Sequence, residues 1–221
     1  FYSELELQNL AKILLKHPHV WILCDDLYEH IIFDNLKFKN ILQVEKKLKS
    51  RTFIVNGVSK AYAMTGWRLG YGAGPKELIK EITKIQSQST THTSSISQAA
   101  AIEALDNSEE FIDRNKKIFQ ERRDLIISNF KEFSELKVFR PEGSFYVYVC
   151  CDKIIGKKKE DGDIINNDLD LSDYFLDEGV AVVPGEAFGF SNFFRISFAT
   201  SNEDIVEGCK KIISACKKLK S

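Results

Sequence analysis

The apolar residues of this chain come in short runs separated by helical stripes, and that alternation constrains its fold more than any other feature. Such runs, for example residues 20–24 (Val-Trp-Ile-Leu-Cys) and 180–183, are strand-length. A membrane span needs about 20 apolar residues, so the membrane is not an expected partner. Residues 5–17 carry Leu7, Leu10, Ala11 and Leu14 at helical spacing. Residues 20–24 then read as a buried strand that Asp25-Asp26 ends. Residues 51–56 read as a second strand and 67–74 as a third. In the third, Gly70, Gly72 and Gly74 allow other backbone to come close. Pro75 starts a helix over 76–86, and the Ala-rich segment 97–105 is helical. Strands alternating with helices predict an α/β layer with a largely parallel sheet.

The pattern changes after a long, highly charged helix predicted over 108–133. Its apolar positions Phe111, Ile118, Phe119, Leu125 and Ile126 favour one side. Arg114, Lys116, Lys117, Glu121, Arg122, Arg123 and Asp124 read as a solvated face. Beyond it, strands are predicted at 136–140, 144–150, 180–183 and 193–199, with helices at 169–178 and 202–219. That is an α+β unit, so two domains are expected, 1–110 and 111–221. The polar stretch 157–163 reads as a mobile surface loop.

The formal net charge of -1, with no basic stripe, argues against a nucleic-acid partner. The five cysteines (Cys24, Cys150, Cys151, Cys209, Cys216) fit no zinc spacing and read as reduced cytosolic thiols. The four histidines are scattered, so no metal is expected. The opening Phe1-Tyr2-Ser3-Glu4 has no Met and no signal-like core, and reads as the middle of a longer protein.

Chemistry concentrates in Gly57-Val58-Ser59-Lys60-Ala61-Tyr62-Ala63-Met64-Thr65-Gly66-Trp67-Arg68-Leu69-Gly70. A lysine amine becomes a Schiff-base nucleophile in a dry, electropositive setting. An arginine eight positions on can grip a phosphate with its planar fork. A lysine for a carbonyl beside an arginine for a phosphate is the logic of a pyridoxal-phosphate (PLP) site. Asp25 and Lys60 both follow strand runs, and open α/β sheets bind ligands beyond the carboxyl ends of their strands. Arg195 lies inside the apolar run Phe193-Phe194-Arg195-Ile196-Ser197-Phe198. An arginine there is costly unless paired, so it is either a buried ion pair or a fork awaiting a ligand carboxylate.

The Lys60 run resembles the cofactor-attachment signature of class I/II aminotransferases, nearest to the bacterial aspartate aminotransferases. That resemblance implies the C-terminal part of a fold type I enzyme. Residues 1–110 would be the rest of its large PLP-binding domain. Residues 111–221 would be the linking helix and a smaller α+β domain. It implies PLP held as an aldimine on Lys60, which is also the proton shuttle. In the Asp-x-x-Tyr element, Asp25 pairs with the pyridine nitrogen and Tyr28 bonds the phenolic oxygen. Arg68 takes the phosphate, with Ser59 as a weaker addition, because the family often places that hydroxyl where this chain has Val58 or Gly57. Arg195 takes the substrate α-carboxylate. Phe145, Gly185 and Phe188 are pocket-wall or plain core residues. Asn56, Tyr62 and 86–97 fall near the site or a subunit interface.

The implied reaction is transamination between an amino acid, aspartate first, and a 2-oxo acid such as 2-oxoglutarate, in a cytoplasmic homodimer. Prephenate, aromatic, alanine and kynurenine aminotransferases share the scaffold. A non-catalytic PLP-binding module or an inactive fragment is the alternative of another class.

Overall fold

The computed structural model describes residues 2–220. The chain divides into two compact units, Phe1–Lys116 and Lys117–Ser221.

In the first unit, helix α1 (Glu4–Lys16) opens with a capping box. Ser3 Oγ accepts from the Glu6 amide at 3.3 Å, and the Glu6 carboxylate accepts from the Ser3 amide at 2.7 Å. Two amides that a helix start leaves unpaired are thereby satisfied. Leu7 and Ala11 of α1 are buried against Ile41 and Leu48, with Leu14, Ile22 and Cys24 packed around them. Leu10, expected on the same stripe, is exposed. Arg51 closes the far end of α1 by donating to the Leu14 and Val20 carbonyls.

Strand β1 (Ile22–Asp25) runs parallel to β2 (Thr52–Gly57), with Ile22 opposite Thr52 and Asp25 opposite Val55. Between them lie the short helix α2 (Ile41–Val44) and a 3-10 helix (Lys46–Arg51), neither of which the periodicity indicates. Strand β3 (Gly70–Ala73) pairs antiparallel with β2, so one of the two strand pairs is parallel. Strand β1 begins at Ile22 and is not the fully buried strand its composition suggests. Ile22 and Cys24 face the α1 core, while Leu23 on the other face is 67% exposed. Backbone comes close at Gly70, as expected, where a Cβ would lie 3.2 Å from the Asn56 carbonyl oxygen; at Gly72 the close neighbour is instead a ring, with Cζ of Phe53 2.3 Å from a Cβ there. Helices α3 (Lys76–Ser89), α4 (Ser95–Asn107) and α5 (Glu109–Phe130) follow. A second core cluster of Val58, Leu69 and Ala101 sits under the Lys60 run, with Tyr62 and Met64 packed on it.

The second unit begins within α5. Its sheet joins β4 (Lys137–Phe139), β5 (Tyr146–Cys150), β6 (Val183–Pro184) and β7 (Phe193–Ser197) in the order β4-β5-β7-β6, all antiparallel. Helix α6 (Asp168–Asp177) buries Leu171 and Phe175, and α7 (Asn202–Lys218) buries Ile205, Cys209, Ile212 and Cys216 at helical spacing. Strand β6 has two residues, so the predicted strand over 180–183 is mostly loop.

One further reading is corrected. Arg123 does not belong to a solvated face: it is fully buried, donating to Asp124 at 2.9 Å and to the Pro141 carbonyl at 3.1 Å. Such pairing makes burial of its charge tolerable. The polar stretch 157–163 lies at the surface, as expected; within it the Lys159 amide donates to the Asp163 carbonyl, and Lys158 exchanges amide bonds with Lys220.

Candidate active site

The parallel β1–β2 pair brings the two loops of interest to one sheet edge. Asp25 is the last residue of β1, and the chain reaches Lys60 three residues beyond the end of β2. Asp25 is exposed and accepts from the Leu27 amide at 3.4 Å, a turn that keeps its carboxylate at the strand end. Asp26 turns inward, is buried, and accepts from Asn40 at 3.1 Å. Burial pushes its carboxyl above the ordinary range, helped by the nearby Glu29 and Asp25 charges and opposed by the Asn40 hydrogen bond. The two adjacent aspartates thus have different environments, and only Asp25 is presented outward.

Lys60 is half-buried, and its Nζ lies 5.9 Å from the centroid of the Tyr28 ring. The Asp25–Tyr28 element and the lysine therefore share one place, although 32 residues separate Tyr28 from Lys60. The lysine loop turns back on itself: Ala63 N–H donates to the Lys60 carbonyl at 3.1 Å and Met64 N–H to the Val58 carbonyl at 3.3 Å. A 3-10 turn (Thr65–Trp67) follows and ends at Arg68 in the left-handed region, φ 51°. That conformation is uncommon outside glycine. The exposed Arg68 guanidinium donates to the Thr65 carbonyl at 2.7 Å, which holds the fork close to its own turn. Ser59 is half-buried next to the lysine. A cleft of about 450 Å³ opens between β2, β3 and α3, lined among others by Leu27, Val55, Asn56, Tyr71 and Gln86.

The donor set of this unit fits PLP. An amine suits the aldehyde, a carboxylate the pyridinium, a phenol the ring oxygen, and a guanidinium with a serine hydroxyl the phosphate. Sequence reasoning left Asn56 and Tyr62 without roles and passed over Glu29 and His30. All four lie in one polar cluster beside Lys60. Tyr62 Oη is 3.5 Å from His30 Nε2, and Asn56 donates to Glu29 in a short hydrogen bond. An Asn that closes a strand just before a glycine turn was the available signal.

In the second unit, Arg195 pairs across the sheet with Tyr148 and Val183. Strand alternation puts it on the face opposite the buried Val147, Val149 and Phe194. It is half-buried rather than sunk in the core. Its guanidinium lies close to two rings, 4.2 Å from the Tyr146 centroid and 4.4 Å from that of Phe188. Among the described residues it forms no ion pair. The two aromatics pack against the fork, whose N–H groups suit a planar acceptor. Phe188 sits in the 3-10 turn Gly185–Phe188, anchored by the buried Asp168, which accepts from the Glu186 amide at 2.7 Å. Phe145 instead stacks on Phe119 at 5.4 Å.

The family model for aminotransferase class I and II matches residues 1–212. The chain belongs to the class I and II aminotransferases. It is 53% identical over 216 residues to a probable aspartate/prephenate aminotransferase of Rickettsia felis, a match that covers 97% of this chain and 53% of that protein. It is 48% identical over 219 residues to an aspartate aminotransferase of Rhizobium meliloti, covering 99% and 53%. The crystal structure of the aspartate aminotransferase from Rhizobium meliloti superposes with a TM-score of 0.94 at 48% identity, covering 99% of this chain and 55% of that one. The Thermus thermophilus aspartate aminotransferase with maleate gives 0.85 at 34% identity, covering 97% and 53%. The chain thus spans about half the length of the relatives it matches. The expected fold, PLP fold type I, is the one found. Class I and II aminotransferases are generally PLP-dependent. No helix among the described residues is long and apolar enough to cross a membrane.

Proposed function

We propose that this chain carries the cofactor lysine of a PLP-dependent aminotransferase. One observation carries the reading: in a chain of this family, the Lys60 amine lies 5.9 Å from the Tyr28 ring. Lys60 is the attachment point. Asp25 pairs with the pyridine nitrogen and keeps it protonated, since a carboxylate favours the cation beside it. Tyr28 donates to the ring oxygen. Arg68 and Ser59 take the phosphate, and the backbone N–H groups of the Gly57 turn add to them. When bound, PLP supplies an electron sink for the pair left at the substrate Cα.

Arg195 binds the substrate α-carboxylate edge-on and orients the Cα–H bond, which itself lowers the barrier. Lys60 Nζ then takes the Cα proton as general base and gives it back as general acid. Aspartate as donor, with 2-oxoglutarate as acceptor, is the first substrate pair to test. The name of the Rickettsia relative makes prephenate the second acceptor. The reading places residues 1–110 in the large domain and 111–221 in the linking helix and small domain. It further takes the whole protein to be a cytoplasmic homodimer.

The test is to add PLP, record the absorption of the lysine-bound cofactor, and then add aspartate. A band that aspartate bleaches, with oxo acid released, is the expected result. A band indifferent to every amino acid favours a binding module. No band with this chain refutes the role of Lys60. In the turning-over enzyme, Lys60→Ala lowers the rate at least ~10³-fold, about 4 kcal/mol on the barrier scale.

A further inference from the structure

Glu29 directly follows Tyr28, and its amide donates to the Asp26 carbonyl at 3.0 Å. Its side chain reaches across to the end of β2. There Oε1 accepts a short hydrogen bond from Asn56 Nδ2. The other end of the same amide, Asn56 Oδ1, accepts from the Gly57 N–H at 2.7 Å. One side chain thereby grips both the carboxylate from the Tyr28 loop and the last amide of β2, from which the lysine loop leaves. A second, looser tie lies on the far side of Lys60. His30 Nε2 is 3.6 Å from the Glu29 carboxylate and 3.5 Å from Tyr62 Oη, at the outer limit of a hydrogen bond. The His30 and Tyr62 rings meet edge to face at 5.9 Å. The two ties bracket the lysine, at Asn56 four residues before it and Tyr62 two after.

The surroundings make the carboxylate effective. Glu29 is only 28% exposed in its side chain, so its hydrogen bond is partly shielded from competing water. Burial raises the Tyr62 and Tyr71 phenols, with the Glu29 charge adding to both. Both phenols therefore stay protonated at neutral pH.

We propose that Glu29 is a positioning residue, whose clasp on Asn56 sets the lysine loop against the Tyr28 loop. The inference rests on the cofactor role of Lys60. Nothing in that role requires a carboxylate after Tyr28. The geometry does, because without it the Asn56 amide loses its acceptor and the Gly57 turn loses its anchor.

The experiment uses the 221-residue chain and two readouts. The first is amide hydrogen exchange over 57–64 in the cofactor-free protein, with β1 and α7 as internal references for folding. The second is the rate at which borohydride traps added PLP on Lys60, read by the mass of the Lys60 peptide. Glu29→Ala and Asn56→Ala break the bond from opposite sides. Each is expected to speed exchange over 57–64 about tenfold or more, and to slow trapping by a similar factor, with β1 and α7 unchanged. About tenfold corresponds to the roughly 1.4 kcal/mol of one such bond. The double variant should be no worse than Asn56→Ala alone, since that variant already removes the Glu29 bond together with the Gly57 one. Glu29→Gln keeps an acceptor and should restore both readouts.

Unchanged exchange over 57–64 overturns the clasp. Faster exchange with unchanged trapping also overturns it, since the clasp would then hold a loop without placing the lysine. Failure of Glu29→Gln to restore either readout removes the hydrogen-bond basis. A parent chain that traps no PLP on Lys60 refutes the cofactor reading instead, and the exchange arm alone then decides the clasp.

Discussion

Gly185→Ala is the sharpest perturbation the second unit offers. A Cβ at Gly185 would lie 2.2 Å from the Phe190 carbonyl oxygen, 2.9 Å from that of Phe193 and 2.9 Å from Tyr148 Oη. Ordinary heavy-atom contacts begin near ~3.5 Å, so the Phe190 carbonyl must retreat by roughly 1 Å. Two of the three clashing atoms are backbone, and no rotamer change relieves them. Overpacking of this kind costs about 1–3 kcal/mol, and the backbone character places Gly185→Ala toward about 3. The assay is urea unfolding followed by far-UV circular dichroism. With a urea slope of about 2 kcal/mol per molar, the midpoint should fall by about 1–1.5 M.

Gly208→Ala is the reference. It lies inside α7, and its added Cβ meets nothing within 4 Å. That variant should gain about 0.5–1 kcal/mol from helix propensity alone. The Gly185 turn also carries Phe188, so the damage should spread to the ring that covers Arg195. If Gly185→Ala unfolds within about 0.2 M of the parent, the turn can shift freely and the steric reasoning is wrong.

Burial pushes the thiols of Cys151, Cys209 and Cys216 up to about 12. At pH 8 they should alkylate roughly a thousandfold more slowly than an ordinary thiol of pKa about 8.5, until urea unfolds the chain; rapid labelling of any of the three in native buffer would contradict this. Asp26 has its folded pKa raised above its unfolded one, so the folded state holds the proton more tightly and stability falls as pH rises between the two values. Asp26→Asn keeps an acceptor for Asn40 and should flatten that part of the pH dependence, as read by thermal melting across mildly acidic pH. An unaltered slope would remove Asp26 as its source. In PLP-loaded protein, Arg195→Lys should weaken amino-acid binding roughly 10–100-fold through loss of two charged hydrogen bonds. Phe188→Ala should cost less, about 0.5–2 kcal/mol for one cation–π face. Equal affinities in a spectral titration would refute the carboxylate role.

Much of the frame was legible because it rests on local rules. The Pro75 start of α3 and the apolar spacing of α7 each act within one or two turns of chain. Reading went astray where long-range packing decides. Arg123 sits among charges and looks solvated, yet the Pro141 carbonyl, 18 residues on, supplies a buried partner. Leu23 looks buried, yet only alternate residues of β1 face the α1 core. Residues 180–183 have strand composition, but the sheet pairs only Val183 and Pro184 with β7.

The candidate site divides in the same way. The order Asp25, Tyr28, Lys60, Arg68 is written in the chain, because chemistry demands those residue types whatever holds them. The close backbone approach at Gly70 could be anticipated, whereas the Phe53 ring against Gly72 could not. Only the tertiary structure decided that parallel pairing of β1 with β2 sets the Tyr28 ring beside the Lys60 amine. It alone put Arg195 against two aromatic rings, and it alone drew Glu29 and Asn56 into one clasp. Side-chain identity and short-range periodicity are local properties of a polymer, whereas contact between residues 27 positions apart exists only once the sheet between them has closed.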